Sequence, residues 1–180
     1  MRAIKFCTQC GHAMEMREAY GRLRPVCPSC GHIHFIDPKV AASVLIESDG
    51  KVLLTRRKHN PQKGMWVPPG GFVDWDEDPR RAAIRECEEE TGLKVEITKL
   101  VDVISSVDHA EFQEGGASMV IFFRARIVGG ALAANDDADE AAYFGPDELP
   151  ELAFEPTRIV LGRWKEKTPN FKSQTPNLEV

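Results

Sequence analysis

Gly71-Phe-Val-Asp-Trp-Asp-Glu77-Asp78-Pro79-Arg-Arg-Ala-Ala-Ile84-Arg85-Glu86-Cys87-Glu88-Glu89-Glu90-Thr91-Gly92-Leu93 is the stretch from which the rest of the chain can be read. Its punctuation is that of one helix. Asp78 suits an N-cap, Pro79 the first helical position, and Gly92 the left-handed residue just past the end. Ala82, Ala83, Ile84 and Cys87 give this helix an apolar side to turn toward a core. Glu86, Glu89 and Glu90 stand at i, i+3 and i+4 and share one face. Repulsion between such neighbours costs a few tenths of a kcal/mol per pair, and the helix dipole opposes acids near the C-terminus. A divalent cation offsets both costs. Hard oxygen ligands at this density suit Mg²⁺ or Mn²⁺, which keep bound waters and share substrate phosphates with protein carboxylates. A solvated acidic face is the competing reading of the three glutamates taken alone.

Working outward, residues 40–46 read as a strand, Ser48-Asp49-Gly50 as a turn, and residues 51–56 as the returning strand. A polar loop over residues 56–63 leads to Trp66-Val-Pro-Pro-Gly70-Gly71. Beyond the helix, strands are expected over residues 95–107 and 119–128, with a turn at Gly129-Gly130. An acidic loop over 135–140, a short strand over 141–144 and a last helix over 155–165 complete the pattern. Strands and helices in this order predict an α+β fold with helices on the faces of a mixed sheet, not a doubly wound parallel sheet. Residues 166–180 are polar with two prolines in the last 14 positions and read as a flexible C-terminal tail.

Four of the five cysteines fall in the first 30 residues, as Cys7-Thr-Gln-Cys10-Gly11 and Cys27-Pro-Ser-Cys30-Gly31. Each pair brings two thiolates to one tight turn, and two such turns supply the four sulfurs of a closed Zn²⁺ site. Residues 1–37 are expected to form this ribbon, which is too short to rest on an apolar core alone. Four cysteines fill the coordination shell, so the zinc is expected to be structural and His12, His32 and His34 to stay outside it. Disulfides or a redox dithiol are the alternatives, disfavoured by the odd cysteine total.

A net charge of −5 argues against a general nucleic-acid surface, and the basic residues of the ribbon (Arg2, Lys5, Arg17, Arg22, Arg24) look scattered. A clamp on the next domain or a homodimer contact is the expected use of the ribbon, ahead of nucleic acid. The chain has no apolar run near the ~20 residues that span a bilayer and no secretory leader pattern, so a cytoplasmic location is expected.

Gly71, Glu77, Arg85, Glu86, Glu89, Glu90 and Gly92, with apolar Cys87 and Leu93, match the Nudix box without a gap, and the chain resembles the Nudix hydrolases. Residues 52–57, 64–71 and 138–150 look like the family's approach to the box and its closing strand and turn, so the resemblance covers residues 38–165. The ribbon is similar to that of a subgroup containing FAD and ADP-ribose pyrophosphatases, and an NADH-pyrophosphatase subgroup also carries one. The resemblance implies an α/β/α sandwich in which Glu86, Glu89, Glu90 and the carbonyl of Gly70 hold Mg²⁺ or Mn²⁺, while Arg85 pairs with Glu77. Glu86 is one candidate general base; Glu140 and Asp137, and more weakly Glu111 and Glu114, are others.

The implied reaction is hydrolysis of the pyrophosphate bond in a nucleoside diphosphate linked to another moiety, with ADP-ribose or FAD favoured and a nucleoside monophosphate released. An NDP-sugar or nucleoside triphosphate substrate, or a non-catalytic ligand sensor, are the alternatives. Arg56 and Arg57 are candidate phosphate contacts, and Trp66 and Phe72 candidate base-stacking rings, against a solvated patch and core packing respectively. The chain departs from the usual pattern at Asp76, where Gly is common, and at Pro68, where Leu is usual.

Overall fold

The computed structural model describes residues 4–106 and 119–168, and divides the chain into two compact units, Met1–Pro38 and Lys39–Val180. In the first unit, β1 (Glu15–Ala19) and β2 (Arg22–Val26) form an antiparallel hairpin. Two cysteine knuckles accompany it. The amides of Gly11 and Gly31 donate to the carbonyls of Cys7 and Cys27, at 2.9 and 3.0 Å. Both glycines have φ near +70°, a backbone region that glycine enters without steric cost.

The second unit is built on a mixed sheet. Its strands are β3 (Val40–Ser48), β4 (Lys51–Arg57), β5 (Trp66–Val67), β6 (Gly70–Phe72), β7 (Leu93–Ser105), β8 (Met119–Gly130) and β9 (Ala138–Phe144). The main path runs β5-β4-β3-β8-β7, with β6 also paired to β3 and β9 to β4. Among these strand pairs β3–β8 is parallel and the others are antiparallel. Asp49 and Gly50, both at positive φ, make the tight β3–β4 turn that the Asp-Gly pair predicts.

Alternation along β3 divides the core into two layers. Ala42, Val44 and Ile46 point to one face, where α1 (Pro79–Thr91) lays Ala82, Ala83 and Cys87 against Leu53, Phe123 and Ala125. Leu45 points to the other face and joins Val52, Leu54, Phe122 and the Val160, Leu161 and Trp164 of α2 (Glu155–Lys167). Full burial of one such aliphatic side chain contributes roughly 1.5–3 kcal/mol. Leu53→Ala would therefore damage the α1 layer directly. This is the α/β/α arrangement expected from the sequence.

Several local expectations are corrected. Gly129 and Gly130 end β8, paired to Lys94 and Leu93, and do not form a turn. A side chain at Gly130 would meet the carbonyl oxygen of Gly92 at 2.2 Å, so the glycine serves a close backbone approach. The last strand starts at Ala138, earlier than the loop-like acids suggested, so Asp139 and Glu140 are strand residues opposite Arg56 and its neighbours. The final helix runs two residues further, to Lys167. Ile84 is only partly buried, whereas Glu90 and Thr91 on the same helix are buried. Glu111, Glu114 and most of the expected tail lie outside the described residues.

Candidate active site and metal centre

The helix α1 begins as its sequence predicts. The Asp78 side chain accepts from the Arg80 amide at 2.8 Å, and Gly92 at φ 68° donates its amide to Glu88. These caps fix where the helix starts and stops, and so which residues face the Gly70-Gly71 turn. Gly70 sits at φ 155°, and a side chain there would lie 2.4 Å from the Ala42 carbonyl oxygen. Close apposition of β6 to β3 therefore requires glycine at this position.

Glu90 is the most buried of the three box carboxylates. Its Oε2 accepts from the Gly70 amide at 3.2 Å and from the Thr55 hydroxyl at 3.3 Å. Burial pushes its carboxyl up to about 8, against the pull of the Gly70 amide. No ion-pair partner lies against it among the described residues. Glu86 lies against Gly71, where a Cβ would stand 2.5 Å from the carboxylate. Burial raises its proton affinity too, outweighing Arg85, and the charge of Asp136 adds to the rise.

Arg85 binds three acids at once. Its Nε and Nη2 grip Glu77 at 3.0 and 2.9 Å, and Nη1 donates to Glu86 and Glu89 at 2.9 Å each. Glu77 is held below the ordinary carboxylate range by this grip. A bidentate pair of this kind is directional as well as attractive. It fixes the guanidinium, and through it two carboxylates of the helix face. Nη2 also reaches the Phe72 carbonyl at 3.3 Å, tying α1 to β6.

The carboxylates do not converge as tightly as the cysteines. Among the described residues, the four cysteines are the group of acid, His or Cys side chains whose ligand atoms all lie within 4.8 Å of one another. Sγ–Sγ distances are 3.5 Å for Cys10–Cys27 and Cys10–Cys30, and 3.6 Å for Cys7–Cys30. A tetrahedron with Zn–S bonds of about 2.3 Å has edges of roughly 3.8 Å, so the sulfurs fit that ion. Burial pushes the Cys27 thiol up, but the amides of Cys30 and Ser29 outweigh it and bring it down to about 6, toward the thiolate a metal needs.

Next to the carboxylates lies a mainly apolar cavity of about 180 Å³. Its wall includes Gly70 and Gly71, the backbone against which Glu90 and Glu86 rest. Ala41, Val120, Phe122, Phe154 and Pro156 supply apolar surface, and Phe72 and Arg57 also line it. Arg57 stacks on the Phe154 ring at 4.8 Å and donates to the Pro61 carbonyl, and burial lowers its pKa. Thr157 is buried, lines the cavity, and has no hydrogen-bond partner for its hydroxyl among the described residues.

The other expected site residues fall in different places. Arg56 is paired with Asp139 at 2.7 Å and with Glu140 at 2.9 Å. Glu140 is thereby committed to Arg56, while Asp137 faces His59 at 3.6 Å. Trp66 is buried edge-on to Phe144 at 4.8 Å, which fits the core-packing reading of this ring. Phe72 is half exposed beneath Lys39, whose Nζ lies 5.2 Å from its centroid. Sequence reading missed Thr55, Asp136 and Thr157. The 131–137 loop also reaches the helix through backbone, the Asn135 amide donating to the Glu90 carbonyl at 3.0 Å and Ala133 to Thr91. Such contacts leave no side-chain signature.

The family model described as NUDIX domain matches residues 37–165, and that described as Nudix N-terminal, a zinc ribbon, matches residues 5–35. The chain belongs to the Nudix hydrolase family. An ADP-ribose pyrophosphatase of Methanocaldococcus jannaschii is 42% identical over 133 residues, 73% of this chain and 77% of the relative. A solved Nudix hydrolase from Nitrosomonas europaea superposes with a TM-score of 0.79 at 33% identity, covering 91% of each chain. An NAD-capped RNA hydrolase, NudC of Vibrio atlanticus, is 25% identical over 84% of this chain, which spans 53% of that protein. The Nudix unit is thus a pyrophosphohydrolase, and the unit before it a Nudix zinc ribbon.

Proposed function

We propose that the Nudix unit hydrolyses the pyrophosphate bond of a nucleoside diphosphate linked to a second group, with ADP-ribose or FAD as the favoured substrate and a nucleoside monophosphate as product. One observation carries this reading: the box carboxylates and the cavity share the Gly70-Gly71 wall. A base and ribose lodged in the cavity would present their phosphates to Glu86, Glu89 and Glu90. The activity of the M. jannaschii relative supports ADP-ribose.

Mg²⁺ or Mn²⁺ would be held by the three carboxylates with the Gly70 carbonyl, and would polarise a phosphoryl oxygen and a water. The donor set fits such an ion, because the buried Glu90 carboxylate lacks a cation and all the ligand atoms are hard oxygens. Arg85 orients Glu86 and Glu89 and keeps Glu77 as its anchor. Glu86 is the preferred general base, because Glu140 would have to leave Arg56 to act. Arg57, at the cavity edge, is suited to a substrate phosphate. The zinc of the ribbon is structural, and its reduced thiols suit the cytoplasm.

A panel of ADP-ribose, FAD, NADH, an NDP-sugar and a nucleoside triphosphate, each with Mg²⁺ or Mn²⁺, tests the proposal through monophosphate release. Turnover of ADP-ribose or FAD is expected to exceed the others. Glu89→Gln and Glu90→Gln should each cut it by about 100-fold or more while leaving the fold intact. A folded protein that binds one member tightly and turns over none would instead be a ligand sensor.

A further inference from the structure

The arginines of the ribbon look scattered in the sequence, but the hairpin register gathers them. Partners Arg17↔Arg24 and Ala19↔Arg22 lie directly opposite in an antiparallel pair. Residues two apart on a strand share a face, so Arg17, Arg22 and Arg24 all stand on the same side of the hairpin. Like charges directly opposite destabilise a strand pair. Glu15 offsets one of them, bonding Arg17 at 2.7 Å. Arg22 is exposed, and Arg24 donates to the Ala19 carbonyl, so neither is neutralised by an acid among the described residues. The first 38 residues carry five basic and three acidic side chains within a chain of net charge −5, so positive charge is concentrated here.

Aromatic rings accompany this charge. The Arg24 guanidinium stands 4.8 Å over the Phe35 ring, and Tyr20 lies 6.1 Å from the same ring. Tyr20 occupies the hairpin tip at φ 52°, a backbone region that costs a bulky residue energy, and the residue is 78% exposed. Asn or Gly would fill that turn position with less strain. A strained, exposed ring beside guanidinium groups that no acid neutralises among the described residues is an arrangement whose local costs find little return within the hairpin.

We infer that the β1–β2 face formed by Arg17, Tyr20, Arg22, Arg24 and Phe35 binds single-stranded nucleic acid. The guanidinium groups would contact consecutive phosphates, and Tyr20 and Phe35 would take base stacking. Unpaired strands expose both groups together, whereas a duplex hides its base faces. The site needs no sequence preference, because every base presents a π-face.

The test uses the full-length zinc-loaded protein and fluorescein-labelled 12-mer RNA and DNA strands, read by anisotropy across a salt series. Wild type is expected to bind both strands, with affinity falling as salt rises with a log–log slope of about −1.4 for the two phosphate contacts of Arg22 and Arg24. Arg22→Ala with Arg24→Ala should weaken binding about tenfold or more and flatten the slope. Tyr20→Asn keeps a turn-compatible residue, and should weaken binding about fivefold with the slope unchanged. Zinc content and melting temperature show that each variant is folded, and release of monophosphate from a small substrate should be unaltered. Absence of salt-sensitive binding by wild type, or equal binding by the double arginine variant, overturns the inference. Preference for duplex over single strands also overturns it.

Discussion

The carboxylate of Glu86 rests directly on the α-carbon of Gly71, so that a methyl group there would stand 2.5 Å from it. The contact is with the tip of a flexible side chain, so the fold can yield and the site cannot. Gly71→Ala is expected to leave melting nearly unchanged and to lower turnover about 100-fold, as misplacing a reacting group by an ångström can. Gly70→Ala meets backbone at 2.4 Å at φ 155° and should instead lower the melting temperature sharply. Melting and initial-rate measurements on the two variants separate these outcomes; a Gly71→Ala enzyme of normal rate would sink the first.

Burial raises the Glu90 carboxyl to about 8, well above the ~4.3 of an unfolded glutamic acid. The folded chain therefore binds a proton over a range where the unfolded chain has released it. Stability from this group is full below about pH 4 and is lost as pH rises through 8, on the order of a few kcal/mol in all. Glu86 shifts in the same direction. Denaturant midpoints of metal-free protein should fall between pH 5 and pH 8.5, and Glu90→Gln should reduce that fall. Added Mg²⁺ should raise the midpoint more at the higher pH. Identical pH profiles for wild type and Glu90→Gln would contradict the burial argument.

Thr157 places an unpartnered hydroxyl in the cavity wall. Thr157→Val preserves shape and removes the hydrogen bond, worth roughly 0.5–1.5 kcal/mol. KM for a nucleoside diphosphate substrate is expected to rise about three- to tenfold with kcat little changed, and Thr157→Ser should restore it. An unchanged KM would mean the base lodges elsewhere.

Cys27→Ser removes one of four zinc ligands. Bound zinc measured by elemental analysis should be lost, together with protease resistance of the first unit, because the metal replaces a core. Hydrolysis by the Nudix unit should persist in kind. Loss of all turnover with the second unit still folded would show that the ribbon serves the reaction.

The sequence made the helix caps, the strand pattern and the cysteine knuckles legible, because each depends on residues within one turn or one strand. Asp78, Gly92 and the paired C-x-x-C-G units act locally. The box carboxylates were legible by spacing on one helix. Their surroundings were legible only in part: the family resemblance set Gly70 beside them, but Thr55 meets Glu90 from 35 residues away, and the cavity forms only when the start of α2 closes over β3 and β8. Whether Trp66 packs or stacks was left open by the sequence, because its burial depends on Phe144, 78 residues later. Likewise Gly129-Gly130 read as a turn because the approach of Gly92 that demands it is a tertiary fact.

Glu90 is gripped at both ends, its carboxylate by Gly70 and Thr55 and its carbonyl by Asn135. The segment from Ala131 to Asp137 therefore acts as a spacer of fixed length between β8 and β9, held by its backbone against the last turn of the helix. One residue inserted there would shift the amide that meets Glu90 and, through it, the oxygen offered to a cation. Variation among descendants of this chain should accordingly change the letters of that segment more freely than their number.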